Sequence, residues 1–83
     1  MTWTAIWSDN AKKELKRLPS DIQKRILDKT DDVEENPFQY LERLTGRSFY
    51  KYRVGNYRII VDVINDKLIL YLLKVKKRSR VYK

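Results

Sequence analysis

The chain has 83 residues, of which 42% are hydrophobic and 36% charged, and a formal net charge of +8; this suits one globular domain over 1–83, with no room for a second core. It holds neither cysteine nor histidine, which excludes disulfide frameworks, thiolate and imidazole metal sites, and histidine acid–base chemistry. The longest apolar runs are far too short to span a bilayer and the N-terminus shows no signal-peptide pattern, so a cytoplasmic location without a membrane partner is expected.

Residues 2–7 alternate Trp3, Ala5 and Trp7 against Thr2, Thr4 and Ile6, which predicts a short strand. Ser8 follows as a helix N-cap, with Ala11, Leu15 and Leu18 on one face. Pro19 stops that helix. Ser20 and Gln23 form a capping-box pattern for a second helix, with Ile22, Ile26, Leu27 and Val33 as its buried stripe and Asn36-Pro37 as its end. The pair reads as an antiparallel helical hairpin. Asp31, Asp32, Glu34 and Glu35 crowd the C-terminal turn, where the helix dipole disfavours anions. They form either a solvated face or an answer to the basic half of the chain.

A connection over 38–48 comes next, after which the period changes from 3.6 to 2. Segments 48–54, 57–64 and 67–75 read as three strands of a meander, joined by two-residue turns at Gly55-Asn56 and Asn65-Asp66. Residues 76–83 form a basic tail. The expected fold is α+β in the order β-α-α-β-β-β, an antiparallel sheet covered on one face by the helical hairpin.

The charge is unevenly spread. Residues 1–42 carry seven Lys/Arg against nine Asp/Glu; residues 43–83 carry twelve against two. A strongly basic half on an otherwise acidic chain marks a polyanion-binding surface, with nucleic acid as the leading partner. A two-residue turn at Gly55-Asn56 sets Arg53 opposite Arg58 and puts Lys51 on the same face, leaving Tyr50, Tyr52, Val54, Tyr57, Ile59, Val61 and Val63 to the core. Directly opposed like charges cost stability, so a fold does not need them, whereas an anion site does. If Asn65-Asp66 closes the second turn, Leu73 pairs with Arg58. The tail, with Lys76, Lys77, Arg78, Arg80 and Tyr82, then leaves the sheet beside that cluster.

At these residues the chain resembles the RelE/ParE superfamily of toxin–antitoxin toxins. The resemblance rests on Thr4-Ala5-Ile6-Trp7-Ser8, Ala11 to Leu15, Leu44-Thr45-Gly46, the Gly55-Asn56-Tyr57-Arg58 turn and the terminal Arg78-Ser79-Arg80-Val81-Tyr82. It implies a concave basic face, cleavage of messenger RNA in the ribosomal A site, and neutralisation by a small acidic RelB-like antitoxin, with DNA contacted only through that antitoxin. The RelE-like branch is the nearer one. By position it implies Lys51, Arg53, Arg58, Arg78 and Tyr82 as catalytic residues, where RelE carries a lysine in place of Arg53.

Candidate RNA-binding residues are Arg43, Arg47, Lys74, Lys76, Lys77 and Arg80. RNA supplies its own 2′-OH nucleophile, so no metal or cofactor is expected. Lys51 or Tyr82 would serve as base, Arg78 as acid or leaving-group stabiliser, and Arg53 and Arg58 would hold the phosphate. The alternatives are a ParE-like inhibitor of DNA gyrase and a noncatalytic basic RNA-binding module.

Overall fold

The computed structural model describes residues 2–44 and 48–77. Its elements run β1 (Thr4–Trp7), α1 (Asp9–Lys16), α2 (Ser20–Glu35), α3 (Pro37–Tyr40), β2 (Glu42–Arg43), β3 (Phe49–Val54), β4 (Tyr57–Ile64) and β5 (Ile69–Lys77). The five strands form one sheet in the order β1-β5-β4-β3-β2. The α+β class and the core order are as expected, with three differences. The single turn α3 and the two-residue β2 lie inside the expected connection, too short for any periodicity to reveal them. The sheet is mixed, because β1 pairs with β5 in parallel through Thr4↔Ile69 to Trp7↔Leu72. A helical crossover between β1 and the end of the meander permits a parallel pair; only hairpin-joined strands must run antiparallel.

Alternation decides which face of the sheet is covered. Tyr52, Val54, Ile59, Val61, Val63, Leu70, Leu72 and Val75 are buried and share one cluster with Ala11, Leu15, Ile26 and Val33 of the helices. Helix α1 packs on β1 and β5, and α2 on β1 and β3. Lys51, Arg53 and Arg58 alternate with the buried residues of β3 and β4 and therefore project from the opposite, open face.

Ser8 caps α1 as expected, its Oγ accepting from the Ala11 N–H at 3.0 Å. The capping box of α2 does not form, since the N-cap is Pro19. Gln23 instead turns back and donates to Leu18 O at 2.9 Å, satisfying a carbonyl at the end of α1. The buried stripe of α2 also differs. Leu27 is 44% exposed, and Thr30 takes the inner position at 4%. Spacings of four from Ile22 through Ile26 to Thr30 follow one helical face, whereas Leu27 is turned roughly 100° from Ile26. The Thr30 hydroxyl donates to Ile26 O at 2.7 Å, so its contact with Tyr52 Oη is one in which the tyrosine donates.

The Gly55-Asn56 turn is as expected, with Val54 opposite Tyr57 and Gly55 at φ 57. The second turn is longer. Residues Asn65–Lys67 make a 3₁₀ turn, Leu68 sits in the left-handed region at φ 53, and Ile64 pairs with Ile69. A two-residue primed turn needs positive φ at its centre, and neither Asn65 nor Asp66 is the glycine that removes the cost. The loop places its positive φ at Leu68 instead.

Candidate functional site

The longer turn moves the β4–β5 register by two residues, and a β-bulge at Ile60/Val61 moves it by one more. Arg58 therefore stands opposite Lys76, where the two-residue turn would have set Leu73. With Arg53 opposite Arg58 on the other side, one row across three adjacent strands reads Arg53, Arg58, Lys76. Like charges facing each other across strands are destabilising, so the row favours an anion over it.

The bulge also shapes what lies beside that row. Val61 pairs with Leu72 and Ile60 with Lys74, leaving Leu73 as the extra residue. Leu72 and Val75 are buried while Leu73 and Lys74 both stay outside the core. Leu73, Ile60, Phe49 and Leu44 then line a cleft of about 430 Å³ together with Arg58, Lys74 and Lys76. No carboxylate among the described residues lines it. The Nε of Arg58 is buried there without a hydrogen-bond partner among the described residues. An unsatisfied buried guanidinium N–H is costly, and an incoming acceptor recovers that cost.

Helix α1 holds the bulge from the far side. Past Trp7 the backbone of β5 has lost its β1 neighbour, and polar side chains of the α1 cap take over. Ser8 Oγ and Asn10 Nδ2 donate to Leu73 O at 3.2 and 3.0 Å, and Glu14 Oε1 accepts from the Val75 N–H at 2.7 Å. Three residues of the first turns of α1 thus fix the segment carrying Leu73, Lys74 and Lys76. Nothing in a periodicity argument singles them out.

The expected site residues divide accordingly. Arg58, Lys74 and Lys76 come together. Lys51 is on the open face but its Nζ is 3.5 Å from Glu42 Oε1, the residue opposite it on β2. Arg53 is exposed and lines two other depressions, beside Arg25 and Asp32 of α2 and beside Tyr40 and Glu42. Arg43 pairs with Tyr50 and Lys77 with Tyr57, which puts both in rows that alternate with the cationic one. Arg47, Arg78, Arg80 and Tyr82 lie outside the described residues. Of the acidic cluster, Glu34 serves the fold. Its Oε2 accepts from the Ala5 N–H at 2.7 Å and its carbonyl from the Trp3 N–H at 3.1 Å, sealing the outer edge of β1.

Among the described residues, the strongest electrostatic perturbation is away from the cleft. Burial, reinforced by the Glu34 charge, pushes the Tyr52 phenol well above its ordinary range. That tyrosine is a neutral core donor, unavailable for proton transfer.

The family model described as the ParE toxin of a type II toxin–antitoxin system, parDE, matches residues 5–82. The mRNA interferase toxin RelE of Escherichia coli K12 is 28% identical over 83 residues, spanning 96% of this chain and 87% of that protein. The archaeal RelE–RelB complex of Pyrococcus horikoshii OT3 contains a chain of similar structure, with TM-score 0.84 and 28% identity over 98% of this chain and 100% of the other. The RelBE2 complex of Mycobacterium tuberculosis gives TM-score 0.86 at 20% identity, over 94% and 100%, a likeness of fold.

Proposed function

Because the chain belongs to the ParE toxin family of type II toxin–antitoxin systems, within the RelE/ParE superfamily, and is RelE-like, we propose that this toxin is a ribosome-dependent endoribonuclease that cuts translated messenger RNA. The observation that carries the reading is the cleft in which Arg58, Lys74 and Lys76 meet, where among the described residues no carboxylate lines the walls and the Arg58 Nε has no partner. Such a site suits phosphoryl chemistry in which the substrate brings its own nucleophile. The 2′-OH of one nucleotide attacks the adjacent phosphorus, the 5′-oxygen leaves, and a 2′,3′-cyclic phosphate forms. Preorganised cations stabilise the extra negative charge on the phosphorane, and this term is often the largest in catalysis.

The roles follow from placement. Arg58 takes the phosphate, with Lys76 opposite it as a second donor. Lys51, occupied by Glu42 and absent from the cleft lining, is a cation at the margin. Lys51 and Tyr82 remain the two candidates for base, and Arg78 the candidate for leaving-group stabiliser. The partner is a RelB-like antitoxin, a reading supported by the RelE–RelB and RelBE2 complexes of the relatives.

A second reading is supported by the matching family description, a ParE toxin. It would inhibit DNA gyrase and leave messages whole. Induction without antitoxin, followed by primer-extension mapping of transcripts and a plasmid supercoiling assay, separates the two. New 5′ ends within translated frames support the nuclease; intact messages with lost supercoiling support gyrase inhibition.

A further inference from the structure

A carboxylate on the open face has been left without a counter-ion. Asp62 has Phe49 of β3 and Tyr71 of β5 as its direct cross-strand neighbours. Along β4, Ile60 and Ile64 lie two positions away on the same face. Two aromatic and two aliphatic side chains thus surround one acid. Asp62 is half-buried, its Oδ1 accepts from the Ser48 hydroxyl, and among the described residues no Lys or Arg pairs with it. Lys51 and Lys74, both opposite Ile60, are engaged by Glu42 and by the cleft respectively. Arg58 lies four residues back along β4, about 13 Å away.

The surface around Asp62 is apolar and open. Ile6 stands opposite Tyr71, and the two are 41% and 36% exposed. A partner that buries Ile6, Tyr71 and Ile64 must cover Asp62 as well. Desolvating an unpaired carboxylate cancels much of what the surrounding apolar contacts contribute, so the partner has to answer it. The flanking rings favour a cation for that role, because an ammonium or guanidinium over Phe49 or Tyr71 gains ring attraction besides the ion pair. We infer that Asp62, Phe49 and Tyr71 form a receptor for one arginine or lysine side chain of the antitoxin. That cation fixes the direction of an otherwise acidic segment. With its basic residue at Asp62 its carboxylates reach Arg58, whereas the reversed segment sets like charges against each other at both ends. A nucleic acid strand fits this patch less well, since Asp62 repels phosphates and its four neighbours offer them no donor apart from the Tyr71 hydroxyl. The inference goes beyond the nuclease reading and does not rest on it.

The test is amide-resolved NMR titration of the full chain with N-acetyl-arginine amide and with its neutral isostere, N-acetyl-citrulline amide. The expected result is shifts centred on Phe49, Asp62 and Tyr71, with the arginine compound several-fold tighter than the citrulline one. Asp62→Asn, which keeps an acceptor for Ser48, should erase that difference, and Tyr71→Leu should reduce it without erasing it. Cytidine and guanosine, whose amino groups also donate, should leave the Asp62 amide unmoved. Equal binding of the arginine and citrulline compounds would overturn the inference, as would a preference for arginine that survives in Asp62→Asn. Displacement of the arginine compound from Asp62 by either nucleoside would overturn the protein partner and give the patch to RNA. An arginine preference at Asp62, found together with uncut messages on programmed ribosomes, would leave the receptor standing and remove the nuclease reading.

Discussion

Glu14 and Val75, 61 residues apart, are joined by a 2.7 Å hydrogen bond from the Val75 backbone N–H to the Glu14 carboxylate. Through it, a helix on the covered face governs the strand that shapes the open one. Glu14→Ala leaves the Val75 N–H without its acceptor and should cost about 1–3 kcal/mol. Glu14→Gln keeps an acceptor oxygen in the same place and should cost much less. Urea denaturation of both variants checks the order. Amide exchange at Val75 checks the site, since it should accelerate in Glu14→Ala beyond what the global loss explains.

Arg53, Arg58 and Lys76 form a row of like charges across β3, β4 and β5. Lys76→Ala should therefore raise stability slightly, by about 0.2–1 kcal/mol, because the removed charge faces Arg58 and belongs to no core contact. The gain should shrink as salt screens the remaining charges. Thermal unfolding at low and high ionic strength measures it. A loss of stability at both would mean that the Lys76 stem packs on the sheet more than its charge repels.

Much of this arrangement is legible in the sequence, and the exceptions share physical causes. The core face of β3 and β4 is clear because Tyr52, Val54, Ile59, Val61 and Val63 alternate without interruption, and Gly55 marks the turn that aligns them. With those in place, Arg53 opposite Arg58 follows from counting. Lys76 opposite Arg58 does not, because Leu72 and Leu73 are equally apolar and hide which of them leaves the core at the bulge. The parallel partner of β1 depends on a contact across most of the chain, which local periodicity does not encode. Thr30 is polar and so falls outside any apolar stripe; its burial depends on a tyrosine hydroxyl arriving from another element. The clamp from Ser8, Asn10 and Glu14 is invisible for the same reason: it exists only once β5 lies against α1.

The buried Tyr52 phenol gives stability a distinct alkaline limit. Its folded-state pKa is raised above the unfolded value of about 10, chiefly by desolvation. The folded state thus keeps a proton that the unfolded state releases, so stability falls as pH rises past about 10. Tyr52→Phe removes that dependence and should cost about 1 kcal/mol at neutral pH for the lost bond to Thr30. Denaturation of both proteins between pH 8 and 11 should show the wild-type curve descending more steeply. Parallel curves would place the phenol in a more hydrated setting than its burial implies.

The open face beyond the cleft presents Ile6 at 41% and Tyr71 at 36% exposure, with Ile64 and Ile69 beside them. An acidic, amphipathic antitoxin segment would cover these while its carboxylates reach Arg58 and Lys76. Association should then slow steeply with added salt while dissociation changes little. Stopped-flow binding at several ionic strengths tests this, and a salt-independent on-rate would argue for contact on the helical face instead.

On the proposed nuclease reading, catalysis and docking should separate at Arg58. Arg58→Ala removes the buried Nε, the proposed donor to the phosphate, and should lower the single-turnover cleavage rate by about 10²–10³-fold. Arg58→Lys retains the charge but loses the planar fork and should recover only a small part of that loss. Affinity for the ribosome should fall far less in both, because the other cations of the basic half still contact phosphates. Lys76→Ala shares the cleft but lies at its exposed edge, so it should reduce affinity and flatten the salt dependence by about one unit of slope, with a smaller effect on rate. Single-turnover cleavage on programmed ribosomes, at saturating toxin, reads the rates free of binding. If Arg58→Ala then cuts as fast as the wild type, the cleft is a docking surface and the phosphate is activated elsewhere.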